Sequence, residues 1–163
     1  PGVCGGVGTS LRFYGVDFSI GFTYQLGGQV LDQGYRFYMN SPAGTSTGNN
    51  YHHDLLNSWT PENSGSNIPR FAYNDSNQAA VSDRFLTSAS YLNIQNITLG
   101  YTLPKRITRK FLVENLRIYL ACDNVWYWSK RQGLDPRQSI NGITNPYYYA
   151  PIRTFSGGVT VTF

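Results

Sequence analysis

Charge is scarce in this chain. Asp, Glu, Lys and Arg make up 13% of its 163 residues, against roughly 25% in an ordinary soluble domain. Long apolar runs are missing as well, and no stretch approaches the roughly 18 consecutive apolar residues of a membrane-spanning helix. Helical spanning is thereby excluded. Cysteine is nearly absent: Cys4 and Cys122 lie far apart, fit no zinc or redox spacing, and read as isolated thiols rather than a disulfide. Residues 1–10 show no charged start, apolar core or small-residue cleavage site, so an exported protein would have its start upstream.

Motif chemistry is thin too. His52 and His53 are adjacent and cannot share a face as metal ligands four apart on a helix do, so they read as loop residues. Gly5, Gly6 and Gly8 with Thr9 lack the spacing and the lysine of a phosphate-binding loop and read as a flexible start. No Gly-x-Ser-x-Gly elbow occurs, and scattered Ser, His and Asp do not make a triad. No catalytic, cofactor-binding or metal-binding residue is assigned, no cofactor is expected, and the chain reads as no enzyme. The net charge is +4, and Lys105, Arg106, Arg109, Lys110 and Arg117 cluster. Without a basic stripe interleaved with aromatics this is a solvated turn, and no nucleic acid is expected as partner.

What the chain has instead is uncharged polarity and aromatic rings. Mean hydropathy is -0.34 although 40% of residues are hydrophobic and 15% aromatic, led by 13 Tyr. Asn, Ser, Thr, Gln, Gly and Tyr therefore fill the polar positions. Tyr, Phe, Thr and Val favour strands, and rings collect at membrane interfaces.

Periodicity sets the class. Phe18, Ile20, Phe22, Tyr24 and Leu26 alternate with Asp17, Ser19, Gly21, Thr23 and Gln25, which is the period of a strand greasy on one face. The end of the chain repeats the pattern, with Phe155, Gly157, Val159, Val161 and Phe163 against Ser156, Gly158, Thr160 and Thr162. Residues 116–128 place Leu116, Ile118, Leu120, Cys122, Trp126 and Trp128 together, with Asn124 as a polar intruder. Over 91–102, Ile97, Leu99 and Tyr101 form one phase and Leu92 and Ile94 the other, so a bulge is expected near Gln95. A shorter run, 9–14, comes first.

About five strands result, and they form an all-β, antiparallel up-and-down meander. Runs of about ten residues at roughly 3.3 Å per residue and a tilt of about 40° rise ~25 Å, the height of an outer-membrane apolar band. The connections alternate: a tight turn at Gly15-Val16, a very long segment over 27–90, a shorter one over 103–115 and a long one over 129–152. Short turns on one side and long loops on the other are the asymmetry of outer-membrane barrels. The loops are rich in turn residues, as in Ser41-Pro42-Ala43-Gly44. Short helical turns are expected over 50–59 and 104–111.

A one-sided greasy sheet must be covered by helices, a second sheet or lipid. The helical candidates are too short, which leaves lipid or a soluble β-sandwich, the latter as a carbohydrate-binding module with surface aromatics. Because membrane barrels have at least about eight strands, residues 1–163 read as one part of something larger.

The run 91–104, reading YLNIQNITLGYTLP, followed by Leu116-Arg117-Ile118-Tyr119, Asp123-Asn124, Gly133-Leu134-Asp135-Pro136 and Arg153-Thr154-Phe155-Ser156-Gly157-Gly158-Val159, resembles the carboxyl-terminal region of SusC/RagA-type TonB-dependent transporters of Bacteroidetes. Trp59-Thr60-Pro61-Glu62-Asn63 with Ile68-Pro69-Arg70 resembles a segment of their extracellular loops. The resemblance spans residues 8–163. It implies the last strands of a 22-stranded transmembrane β-barrel with long extracellular loops, in a bacterial outer membrane. It implies import of glycan fragments or oligopeptides, with a SusD-like surface lipoprotein as partner and the TonB complex contacted through an amino-terminal region absent here.

On this reading Phe18, Ile20, Phe22, Trp126, Trp128, Phe155, Val159 and Val161 face lipid or form the aromatic belt. Trp59, Tyr147, Tyr148 and Tyr149 lie in extracellular loops, where rings meet substrate or the lipoprotein lid. Phe163 resembles the terminal signal read by the barrel assembly machinery.

Overall fold

A computed structural model describes residues 2–41, 48, 50–131, 133–138, 141–145, 147 and 149–163, without the side chains of 111 and 138. The strands are β1 (Val3–Phe13), β2 (Val16–Leu26), β3 (Gln29–Leu31), β4 (Leu86–Ser88), β5 (Tyr91–Thr102), β6 (Asn115–Ser129) and β7 (Thr154–Thr162). The long strands form a five-stranded sheet in the order β1-β2-β5-β6-β7, and β3 pairs with β4. All pairings in the large sheet are antiparallel. Apart from the short pair inside one connection, each strand lies beside its sequence neighbour, which is the expected meander. The chain folds as two compact units, residues 1–28, 88–135 and 149–163 carrying the sheet, and 29–87 with 136–148 forming the second.

Register brings the separate alternations onto one face. Thr9 pairs with Ile20, Ile20 with Ile97, Ile97 with Cys122 and Cys122 with Phe155. Directly paired residues share a face of the sheet, so the apolar sets of all five strands coincide. A slip of one residue in any pairing would turn that strand's apolar set over.

Two expectations at the start of the chain are corrected. The first strand begins at Val3 rather than Thr9, so Gly5, Gly6 and Gly8 are strand residues and no flexible start. The Tyr24 ring lies over Gly5, where a Cβ would sit 2.9 Å from its hydroxyl and push the ring aside. The hairpin turn is Tyr14-Gly15 rather than Gly15-Val16, with φ of 47° and 86°. Positive φ at both central residues matches the right-handed twist of the flanking strands.

The bulge expected at Gln95 is present and continues into β6. From Gly21↔Asn96 to Phe22↔Ile94, β2 advances one residue and β5 two; from Asn96↔Asp123 to Ile94↔Trp126, β6 advances three. β5 thus takes up one residue more than β2, and β6 one more than β5, and Leu92, Ile94, Trp126 and Trp128 stay on the apolar face. Asn124 adopts φ 51°, and its side-chain amide donates to the Ile152 carbonyl at 3.2 Å. The polar intruder is the residue that makes this irregularity possible, since Asn tolerates the left-handed region and carries a local donor.

The second unit has its own small core of Leu31, Met39, Leu55 and Phe85, flanked by Tyr35, Tyr51 and Ile68. Both long connections contribute to it: Leu31 N–H donates to Gly142 O at 2.8 Å and Thr144 N–H to Leu31 O at 3.1 Å. Helix α1 (Gln33–Tyr38), which the sequence pattern does not reveal, is capped by the Asp32 carboxylate accepting from Tyr35 N–H at 2.9 Å. The expected helix over 50–59 is a 3₁₀ turn, His53–Asn57. The one over 104–111 is α2 (Lys105–Thr108) followed by a 3₁₀ turn, Arg109–Phe111, with Pro104 just outside the first helical position.

Candidate functional site

The apolar face of the sheet is bare. Leu11, Leu120, Phe155 and Val159 are 62%, 65%, 76% and 61% exposed, while Phe18, Ile20 and Phe22 are half-buried among their strand neighbours. Trp126, Trp128 and Val161 are also exposed. Soluble monomers seldom leave apolar patches larger than several hundred Å² uncovered, and an apolar face spanning five strands marks an interaction surface. Rings collect at its two ends. Trp126, Trp128 and Tyr24 lie toward the long connections, with Arg153 stacked 5.5 Å above the Trp126 ring. Phe13, Tyr14, Tyr101 and Phe163 lie toward the short turns. The column on β2 from Val16 to Leu26 runs about 33 Å and rises about 25 Å at a tilt of about 40°.

The opposite face is polar and internally bonded. Arg117 on β6 reaches over Gly100 on β5 to make a bidentate ion pair with Asp17 on β2, Nε to Oδ1 being 3.0 Å. Arg117 is therefore a sheet residue and not part of the basic turn that the sequence suggested. The pair exists because Gly100 has no side chain: a Cβ there would sit 2.5 Å from Arg117 Nη2 and from both Asp17 oxygens. Tyr119 likewise covers Gly158, where a Cβ would lie 2.6 Å from the ring. Buried Asn93 donates through Nδ2 to Thr23 Oγ1 at 3.0 Å.

In the second unit, the two halves of the loop motif close on each other. Trp59 N–H donates to Ile68 O at 2.9 Å; the Asn63 amide reaches Asn57 O at 3.3 Å, and Ser66 Oγ donates to the same carbonyl. Trp59 then lines an open groove of about 710 Å³ with Leu55, Leu56, Pro61, Glu62, Arg70 and Phe71. Rings, aliphatic side chains and one charge of each sign meet there. Tyr147 and Tyr149 are highly exposed but do not line this groove, and Tyr148, like 42–44 of the loop signature, lies outside the described residues. His52 accepts from Asp54 N–H at 3.1 Å as a local cap. Among the described residues no group of His, Cys, Asp and Glu could hold a metal ion, and no helix is long and apolar enough to cross a membrane. Cys4 and Cys122 are free thiols.

No protein-family model matches the chain. Individual proteins do. A TonB-dependent receptor P3 of Formosa agariphila is 25% identical over 168 residues, covering 97% of this chain and 16% of the receptor. The TonB-dependent receptor SusC of Bacteroides thetaiotaomicron is 36% identical over 84 residues, 51% of this chain and 8% of its own length. This chain is similar to TonB-dependent receptors of the SusC/RagA type. Among solved structures, that of the RagAB peptide transporter superposes with a TM-score of 0.82 at 24% identity over 98% of this chain and 17% of that one. The RagAB peptide importer in its open-open state superposes with a TM-score of 0.80 at 24% identity over 98% of this chain and 17% of that one. This likeness establishes the meander fold. Both receptors and transporter are far longer, so the chain corresponds to a minor part of each. Their names are those of receptors and of a transporter, and none is an enzyme's.

Sequence reasoning missed the Asp17–Arg117 pair, and the signal that could have found it was there. Asp17 is the charge on the polar face of β2, Arg117 and Asp123 are those on the polar face of β6, and Gly100 interrupts the strand between Asp17 and Arg117. The ring cluster at the short-turn end was also missed, because Phe13 and Tyr14, Tyr101, and Phe163 come from three separate places in the chain.

Proposed function

We propose that the chain forms the last strands of a 22-stranded TonB-dependent barrel in a bacterial outer membrane, a transporter that imports glycan fragments or oligopeptides. The observation that carries this reading is the uncovered apolar face of the five-stranded sheet, of membrane height, backed by a polar face. Hydrocarbon is the covering that such a face needs, and the open edges at β1 and β7 pair with further strands of the barrel, since the bilayer tolerates no unpaired edge. A soluble carbohydrate-binding sandwich would need a second sheet over this face. Among the described residues the other sheet is the two-stranded β3–β4 pair.

In this reading the short turns are periplasmic and the second unit is extracellular. Phe18, Ile20, Phe22, Phe155, Val159 and Val161 meet lipid, and Trp126 and Trp128 belong to the outer aromatic belt. Trp59, with Tyr147, Tyr148 and Tyr149, contacts substrate or a SusD-like lipoprotein lid. Phe163 is read by the barrel assembly machinery, and energy arrives from TonB through an amino-terminal region. The similarity to SusC and to the RagAB peptide transporter supports the pairing with a lipoprotein. Cell fractionation tests the core of this reading: the protein with its native upstream sequence is expected in the outer membrane and extractable by detergent. A soluble monomer without detergent would overturn it. Uptake of a glycan and peptide panel by cells with and without the transporter then assigns the substrate.

A further inference from the structure

The connection between β5 and β6 carries an exposed basic and apolar surface that the transporter reading leaves unexplained. It is a closed scaffold: Ile107 N–H donates to Pro104 O at 2.9 Å, Val113 N–H to Thr108 O at 3.2 Å, and Leu103 N–H to Leu116 O at 2.8 Å. Thr108 is buried beneath it. From this scaffold Lys105, Arg106, Arg109 and Lys110 project into solvent, none in an ion pair among the described residues. The carboxylate on the connection is Glu114. Ile107 and Leu112 are exposed beside them, Leu112 at 88%.

Leu112 is the telling residue. Its φ is 57°, a region where Gly or Asn sits with less strain, yet the position holds a large apolar side chain turned outward. A turn facing water has nothing to gain from Leu at this place. A turn lying in a membrane interface does, because apolar side chains enter the acyl boundary while Lys and Arg meet headgroup phosphates. The turn directly follows β5, whose penultimate residue Tyr101 lies on the apolar face opposite Ile118.

We infer that this turn is a binding site for anionic phospholipid headgroups of the leaflet it faces, four cations engaging phosphate while Ile107 and Leu112 enter the acyl boundary. The inference rests on the membrane reading above and adds to it a specific lipid chemistry at a specific turn. Each basic residue near an anionic surface strengthens binding about fivefold. Removing four of them should weaken it by at least about tenfold even if their effects overlap strongly.

The test uses the complete barrel, purified in detergent and titrated with phosphatidylglycerol or phosphatidylcholine, with bound lipid read by native mass spectrometry. The substitutions Lys105→Gln, Arg106→Gln, Arg109→Gln and Lys110→Gln together should lower phosphatidylglycerol affinity at least tenfold and leave phosphatidylcholine binding unchanged. Leu112→Asn, which suits the backbone, should lower retention of both lipids. Phosphatidylglycerol affinity unchanged in the fourfold variant overturns the inference, and is the outcome if the turn docks a periplasmic protein instead. Flotation of the same barrel with phosphatidylcholine vesicles keeps the two readings apart. A barrel that floats but has lost no lipid affinity refutes the turn alone, whereas a barrel that does not float refutes the membrane reading and the turn with it.

Discussion

Val159→Lys isolates lipid from protein packing. Val159 stands at the middle of the apolar column on β7, four residues from Phe155 and four from Phe163, and pairs with Ile118 across β6. Because the side chain is 61% exposed, truncating it opens little cavity, and Val159→Ala should be nearly neutral. Lysine at the same place puts an ammonium into hydrocarbon, at a cost of about 2 to 4 kcal/mol at the midplane of a membrane barrel and about 0 to 1 near an interface. The larger range shifts the folded-to-unfolded ratio by about thirtyfold to about a thousandfold. The neighbouring Thr160→Lys, on the polar face, should cost far less. Refolding of the complete barrel into phospholipid vesicles across a denaturant series measures all three variants. Equal midpoints for Val159→Lys and Thr160→Lys would refute the assignment of faces, and a large loss for Val159→Ala would show that protein covers the site.

Gly100→Val should place a side chain within the Asp17–Arg117 pair and lower the melting temperature of the barrel, which a thermal scan of wild type and variant would register. Asp32→Ala removes the α1 cap and should cost about 1 kcal/mol, read as faster hydrogen exchange in the second unit with the sheet unchanged. Trp59→Ala should weaken substrate or lid binding while leaving membrane assembly intact, so uptake and assembly should separate. If both fall together, Trp59 is a structural residue of its loop.

The long strands were legible where side chains alternate without interruption. β2 and β7 show their faces directly, and the phase change between Ile94 and Ile97 located the bulge. β1 was half hidden because Gly5, Gly6 and Gly8 have no side chains with which to alternate. The turn was displaced by one residue because Tyr14 gives no hint of its positive φ. Asn124 was visible as an exception, but its meaning needed the register, which shows β6 advancing three residues where β2 advances one. The second unit was least legible. Its core joins Leu31, Met39, Leu55 and Phe85 from a segment dominated by turns, and six helical residues are too few to display a period. Of the candidate site, Trp59 does line a groove, but its companions Arg70 and Phe71 arrive there only through the hydrogen-bonded closure of the loop.

The most direct measurement places nitroxide labels one at a time at 159, 160, 161 and 162 of the complete barrel in lipid, with Cys4 and Cys122 changed to serine. Collisions with oxygen, which concentrates in hydrocarbon, should be high at 159 and 161, and collisions with a water-soluble nickel reagent high at 160 and 162. Labels at 159 and 161 shielded from both reagents would mean that protein, and not lipid, lies against this face.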